Sequence, residues 1–171
     1  METTTIGVFP NRAKAEQAIE GLRDIGISDG DISCIYRDPE GDIKDAQTSE
    51  KVGEGALAGA GTGAAIGAIA GLVVATGILP GLGTLFVAGP LASALGLGGA
   101  AATTVAGAAT GIAAGGLIGA LTSLGVDKED ASLYESFVQS GDVVVITKST
   151  EPKASEVLSD SGATEVREYP Q

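Results

Sequence analysis

The feature that most constrains this chain is a block of 72 residues, 55 to 126, without a single Asp, Glu, Lys, Arg, His, Cys or Tyr. Every charged residue lies at or before Glu54, or at or after Asp127. An element facing water carries a polar face, so so long a charge-free stretch needs cover from other protein or from lipid. The remainder of the chain has the opposite character. With 22 acidic and 10 basic residues the net charge is -12, yet mean hydropathy is +0.28. An acidic, polar protein is interrupted by an apolar insert.

Inside the block, GALAGAGTGAAIGAIAG puts Gly55, Gly59, Gly63, Gly67 and Gly71 at every fourth position. A second series keeps the same period: Gly99, Thr103, Gly107, Gly111, Gly115 and Gly119. Glycine inside a helix in water costs about 1 kcal/mol relative to alanine. At four-residue spacing it makes a groove that lets two helix backbones approach closely. The expectation is therefore two helices, about Glu54 to Thr76 and about Gly99 to Leu124. Each would be about 33 to 40 Å long at 1.5 Å per residue, enough to span a hydrocarbon core of about 30 Å. Between them lies GILPGLGTLFVAGPLASALGLGG, with Pro80, Gly81, Gly83, Gly89 and Pro90 as turn residues. The two glycine series are the expected surfaces for helix packing and self-association. Ala, Gly and Thr contribute little transfer energy, and no Trp or Tyr marks a membrane interface. Burial between subunits of a soluble homo-oligomer, as a shell or scaffold, is the alternative to membrane insertion.

The polar flanks share one plan. Thr4 to Phe9 reads as a strand, Asn11 as an N-cap, and residues 12 to 25 as a helix with Ala15, Ile19, Leu22 and Ile25 on one face. Gly26 suits its C-cap, and residues 31 to 37 form a second strand. After the block, residues 127 to 139 give a junction helix with Leu133, Tyr134, Phe137 and Val138 as its apolar stripe. Asp142 to Lys148 follows as a central strand, then a short helix with Pro152 in its first turn, and a closing strand over 163 to 169. Two strand–helix–strand units make an α+β fold, a ferredoxin-like split βαβ sandwich with the apolar helical hairpin inserted between its halves. The expected division is 1–52 with an acidic linker, 53–126 for the hairpin, and 127–171 for the junction helix and second half.

Candidate chemistry is sparse. With no histidine, Ser–His and Cys–His pairs are excluded, and the single Cys34 sits in an expected strand as a core residue. GEGALA matches a dinucleotide-loop spelling, but an acidic linker rather than a strand precedes it. The acidic runs lack EF-hand spacing and read as solvated faces. Ten basic residues without a cluster argue against nucleic acid. No catalytic residue, cofactor or metal ligand is expected, and the N-terminus lacks a secretory pattern, so the polar domain is expected to be cytoplasmic.

The order of parts resembles a known family. VFPNRAKAEQAIEGLRDIG, ILPGLGTLFVAGPLASAL and GLIGALTSLGVDKEDASLYESFVQSGDVVVITKS are similar to the bacterial general stress proteins of the heat-induced, low-temperature-induced type. The resemblance implies a stress-linked, often membrane-predicted role without established catalysis. The expected function is a non-enzymatic stress protein that associates with itself and with membrane lipid through the hairpin. A small-molecule sensor on the sandwich is a further alternative, by fold analogy.

Overall fold

The computed structural model describes residues 2–37, 65–69, 72–79, 83–91 and 116–171. The first strand–helix–strand unit comprises β1 (Thr3–Phe9), α1 (Arg12–Asp24) and β2 (Ile32–Arg37). The Asn11 carboxamide caps α1 by accepting from the Lys14 amide at 3.0 Å. At the other end Gly26 takes φ +92°, and the amides of Gly26 and Ile27 bond back to Arg23 and Leu22. This satisfies carbonyls that the last turn would otherwise leave open. The C-terminal part contains α2 (Gly116–Ser123), α3 (Lys128–Gln139), β6 (Val143–Ser149), α4 (Ala154–Asp160) and β7 (Glu165–Pro170). Pro152 lies just ahead of α4, in the turn that leads to its first residue, rather than inside its first turn.

Between the two parts stand three strands, the first two largely where the glycine spacing suggested a helix and the third in the segment expected to turn. They are β3 (Ala65–Ile69), β4 (Leu72–Leu79) and β5 (Gly83–Ala88). The expected first arm, Glu54 to Thr76, is thus corrected over all of its described residues, and Gly67 lies in a strand. The physical reason is visible in LVVATGIL and AIGAI. β-Branched residues lose rotamer freedom in a helix and suit a pleated sheet, while each interior glycine weakens the helical alternative. Gly55, Gly59, Gly63, Gly71, Pro80, Gly81, Gly99, Thr103, Gly107, Gly111 and Gly115 lie outside the described residues. Gly119 sits in α2, where helix was expected.

Together the elements make a mixed α/β fold on one antiparallel sheet ordered β3-β4-β5-β2-β6-β1-β7. Strand alternation sends neighbouring residues to opposite faces. Val143 and Val145 of β6 join α1 and α4, with Phe9, Ile19, Leu22 and Leu158. Val144 and Ile146 face α2 and α3, with Leu117, Leu121, Tyr134 and Val138. This explains the unbroken valine run: β6 is covered on both sides. α1 and α4 meet at Gly21, where a Cβ would stand 2.8 Å from Val157 Cγ1. Close helix packing through glycine therefore occurs in the polar part. Leu133, expected in the stripe of α3, is 36% exposed, because Ala131, Tyr134 and Val138 form the buried face.

Candidate functional site

The uncharged segment is built into the sheet from β5 outward. β5 pairs with β2 from Cys34↔Ala88 to Arg37↔Leu85, and β4 pairs with β5 from Val74↔Ala88 to Leu79↔Gly83. Pro80 and Gly81, expected as turn residues, fall between β4 and β5 in the sequence and lie outside the described residues. β3 then pairs with β4 and is the outermost strand among the described residues, with a register irregularity between Ala65 and Ala68. Gly83 opens β5. Gly89 closes it with φ +78°, and Pro90 follows at the surface. These two serve a bend after the strand rather than a turn between long helices.

The seam between β2 and β5 is firmly made. Leu85, Val87 and Leu91 are buried in the same core as Leu117 and Leu121. The Leu91 amide donates to the Ser33 hydroxyl at 3.2 Å. On the other face Tyr36 stacks on Phe86, with centroids 5.0 Å apart and planes 9° apart, and the Arg12 guanidinium lies 5.5 Å from the Tyr36 ring. The far end of the block is also tied in. The Leu124 carbonyl accepts from the Thr4 hydroxyl at 2.9 Å and from Gln171 Nε2 at 3.0 Å. Among the described residues, a Cβ on Gly119 would meet no heavy atom inside 4 Å outside its own helix backbone. The expected glycine contact on this helix is not made to any other part of the described chain.

The richest polar cluster joins α3 to β7. Tyr134 and Tyr169 bring their hydroxyls to 3.1 Å, and the Tyr169 hydroxyl donates to Asp130 Oδ2 at 2.8 Å. Arg167 reaches Asp130 Oδ1 at 2.5 Å and Glu165 Oε1 at 2.6 Å. The Tyr169 hydroxyl is the largest influence on the Asp130 carboxyl, holding its pKa below the ordinary 3.8 with help from Arg167 and against burial. Burial, then the bonds to Tyr134 and Asp130, push the Tyr169 phenol up. The arrangement is a clasp in which the Asp130 carboxylate receives a phenol and a guanidinium donor. Because the folded pKa of Asp130 is lowered, its stabilising contribution is full above 3.8 and is lost as pH falls through the lower folded value. Asp130→Asn should therefore lower the melting temperature at about pH 7. That deficit should shrink at about pH 3, in paired thermal melts of the two proteins.

Cys34 is fully buried, and burial pushes its thiol far from the thiolate form. Among the described residues, no group of His, Cys, Asp and Glu is placed to hold a metal ion. Comparison of the chain with family models, curated proteins and solved structures returned no match. The tyrosine clasp was invisible from sequence because its members lie up to 39 positions apart; the two-residue alternation of Glu165, Arg167 and Tyr169 was the one signal that they share a face.

Proposed function

We propose that this is a non-enzymatic, self-associating protein of the stress-related kind that its sequence resembles. Its body is a ferredoxin-like sandwich, in which β2-β6-β1-β7 and the paired helices α1 and α4 form the two split βαβ halves. The association surface is the uncharged sheet extension β3–β5. The observation that carries this reading is the β2–β5 ladder. It fuses strands without one charged side chain to an acidic body whose charges all lie elsewhere. Among the described residues the outer strand of this uncharged extension is paired on one side only, and such a surface is one that proteins normally cover or charge.

Covering by another copy is favoured over spanning a bilayer. The first expected spanning segment is strand over its described residues, and no helix among the described residues is long and apolar enough to cross a membrane. The test is the particle mass by light scattering in detergent-free buffer. The expected result is a multiple of 16.8 kDa. A particle of one chain overturns self-association, and recovery of the protein only in detergent or with lipid vesicles overturns it in favour of a membrane partner.

A further inference from the structure

The turn between α1 and β2 holds the one Asp–Gly dipeptide of the chain, Asp29–Gly30. It lies in a single turn of 3-10 helix, Asp29–Asp31. The bonds that make this turn run from the Asp31 amide to the Ser28 carbonyl, at 2.9 Å, and from the Ile32 amide to the Asp29 carbonyl. The Gly30 amide is the donor in neither. The fold does not require glycine at this position. Gly30 is not among the glycines with positive φ. A Cβ on it would meet no heavy atom within 4 Å among the described residues beyond its own stretch of backbone. What glycine does here is leave the peptide nitrogen unshielded by a side chain and its backbone free to turn.

We propose that Asp29–Gly30 is a site of spontaneous aspartyl isomerisation, restrained in the folded protein by Arg23. The Gly30 nitrogen loses its proton to solvent base and attacks Cγ of Asp29. A Cγ–N bond forms, one carboxyl oxygen leaves as water, and the product is a cyclic succinimide. Water then opens the ring. Cleavage on the side-chain carbonyl restores aspartate. Cleavage on the backbone carbonyl leaves isoaspartate, with the main chain running through the Asp29 side chain. Water leaves in the first step and returns in the second, so no oxidant or reductant is needed. The Asp29 side chain is 56% exposed, which admits both water and base. Its Oδ1 accepts from Arg23 Nε, on the last turn of α1. That charge-assisted bond holds the carboxyl, and Cγ reaches the Gly30 nitrogen only when the pair opens. Other aspartates are protected through the amide that follows them. The amides of Ala131, after Asp130, and Ser161, after Asp160, donate to Asp127 and Val157 carbonyls at 2.8 and 3.0 Å. Isoaspartate at position 29 would lengthen the backbone by one carbon between the buried Ile27 and Ile32.

The test is to age the folded full chain in warm neutral buffer and map its peptides. The peptide carrying Asp29 should split into two chromatographic forms of equal mass. The new form should accept a methyl group from S-adenosylmethionine through an isoaspartyl methyltransferase, used as the probe. Arg23→Gln should speed conversion about twofold to fivefold, the weight of an exposed ion pair. Gly30→Ala should suppress it while leaving the thermal melt unchanged. The peptide carrying Asp160 should stay single. If the urea-unfolded chain forms isoaspartate at position 29 and the folded chain does not, the site is overturned. An unchanged rate in Arg23→Gln overturns the restraint. Equal conversion at Asp160 overturns selection by the free Gly30 amide.

Discussion

Gly89→Ala is expected to destabilise the protein by about 3 kcal/mol. Two costs combine here. Gly89 has φ +78°, a conformation that costs an L side chain about 1 to 2 kcal/mol. A Cβ there would also be driven into the Ile32 carbonyl oxygen and stand 2.9 Å from Ser33 Cα. Both neighbours are backbone, in β2, so neither can rotate aside, and overpacking of this kind adds about 1 to 3 kcal/mol. The bend also delivers the Leu91 amide to the Ser33 hydroxyl, so its loss unseats β5 from β2. Gly26→Ala is the control. It has a similar φ, +92°, but nothing within 4 Å of the added carbon, so only the conformational cost of about 1 to 2 kcal/mol should remain. Urea denaturation of the two variants measures the difference. Equal costs would show that close approach to β2 is not what requires glycine at position 89.

Tyr134→Ala is the second large effect, at about 3 to 5 kcal/mol by analogy with other large-to-small aromatic truncations in cores. Tyr134 is 1% exposed and forms the centre of the interface between α3 and the sheet, beside Leu117, Leu121 and Val138. Its ring also lies 6.4 Å from that of Phe137. The hydroxyl is the lesser part. In Tyr134→Phe the Tyr169 hydroxyl still donates to Asp130, so about 1 kcal/mol should be lost. Chemical denaturation of the pair separates the contributions. If phenylalanine proved as damaging as alanine, the hydrogen-bond network rather than packing would be what holds α3.

The flanking elements were legible because their signals are local. Asn11 accepts from an amide three residues away, and Gly26 ends α1 within the same turn. Val143, Val144 and Val145 told of burial on both faces, and β6 has helices on both. The contact face of α3 was only partly legible. Leu133 and Tyr134 are adjacent, and which of them turned inward depended on where α2 and the sheet lay.

The apolar block shows where local reading stops. A four-residue glycine spacing drifts slowly round a helix of 3.6 residues per turn, but four is also a multiple of two. The same repeat lines one face of a strand as well as one face of a helix, so periodicity alone favoured neither. Length and the absence of charge then suggested a spanning hairpin. Over residues 65–69 and 72–79 the available partner decided otherwise: β2 offers its ladder to β5, and β4 and β3 follow by antiparallel pairing. Sequence by itself determined the two strand–helix–strand units, the caps of α1 and the confinement of charge to the flanks, because these depend on neighbours a few residues away. Only the tertiary structure decided that residues 65–79 are strand, that Gly89 must pass against Ile32, and that Asp130 meets Arg167 and Tyr169. Each of these depends on long-range pairing, where the free energy comes from contacts between segments far apart in the chain.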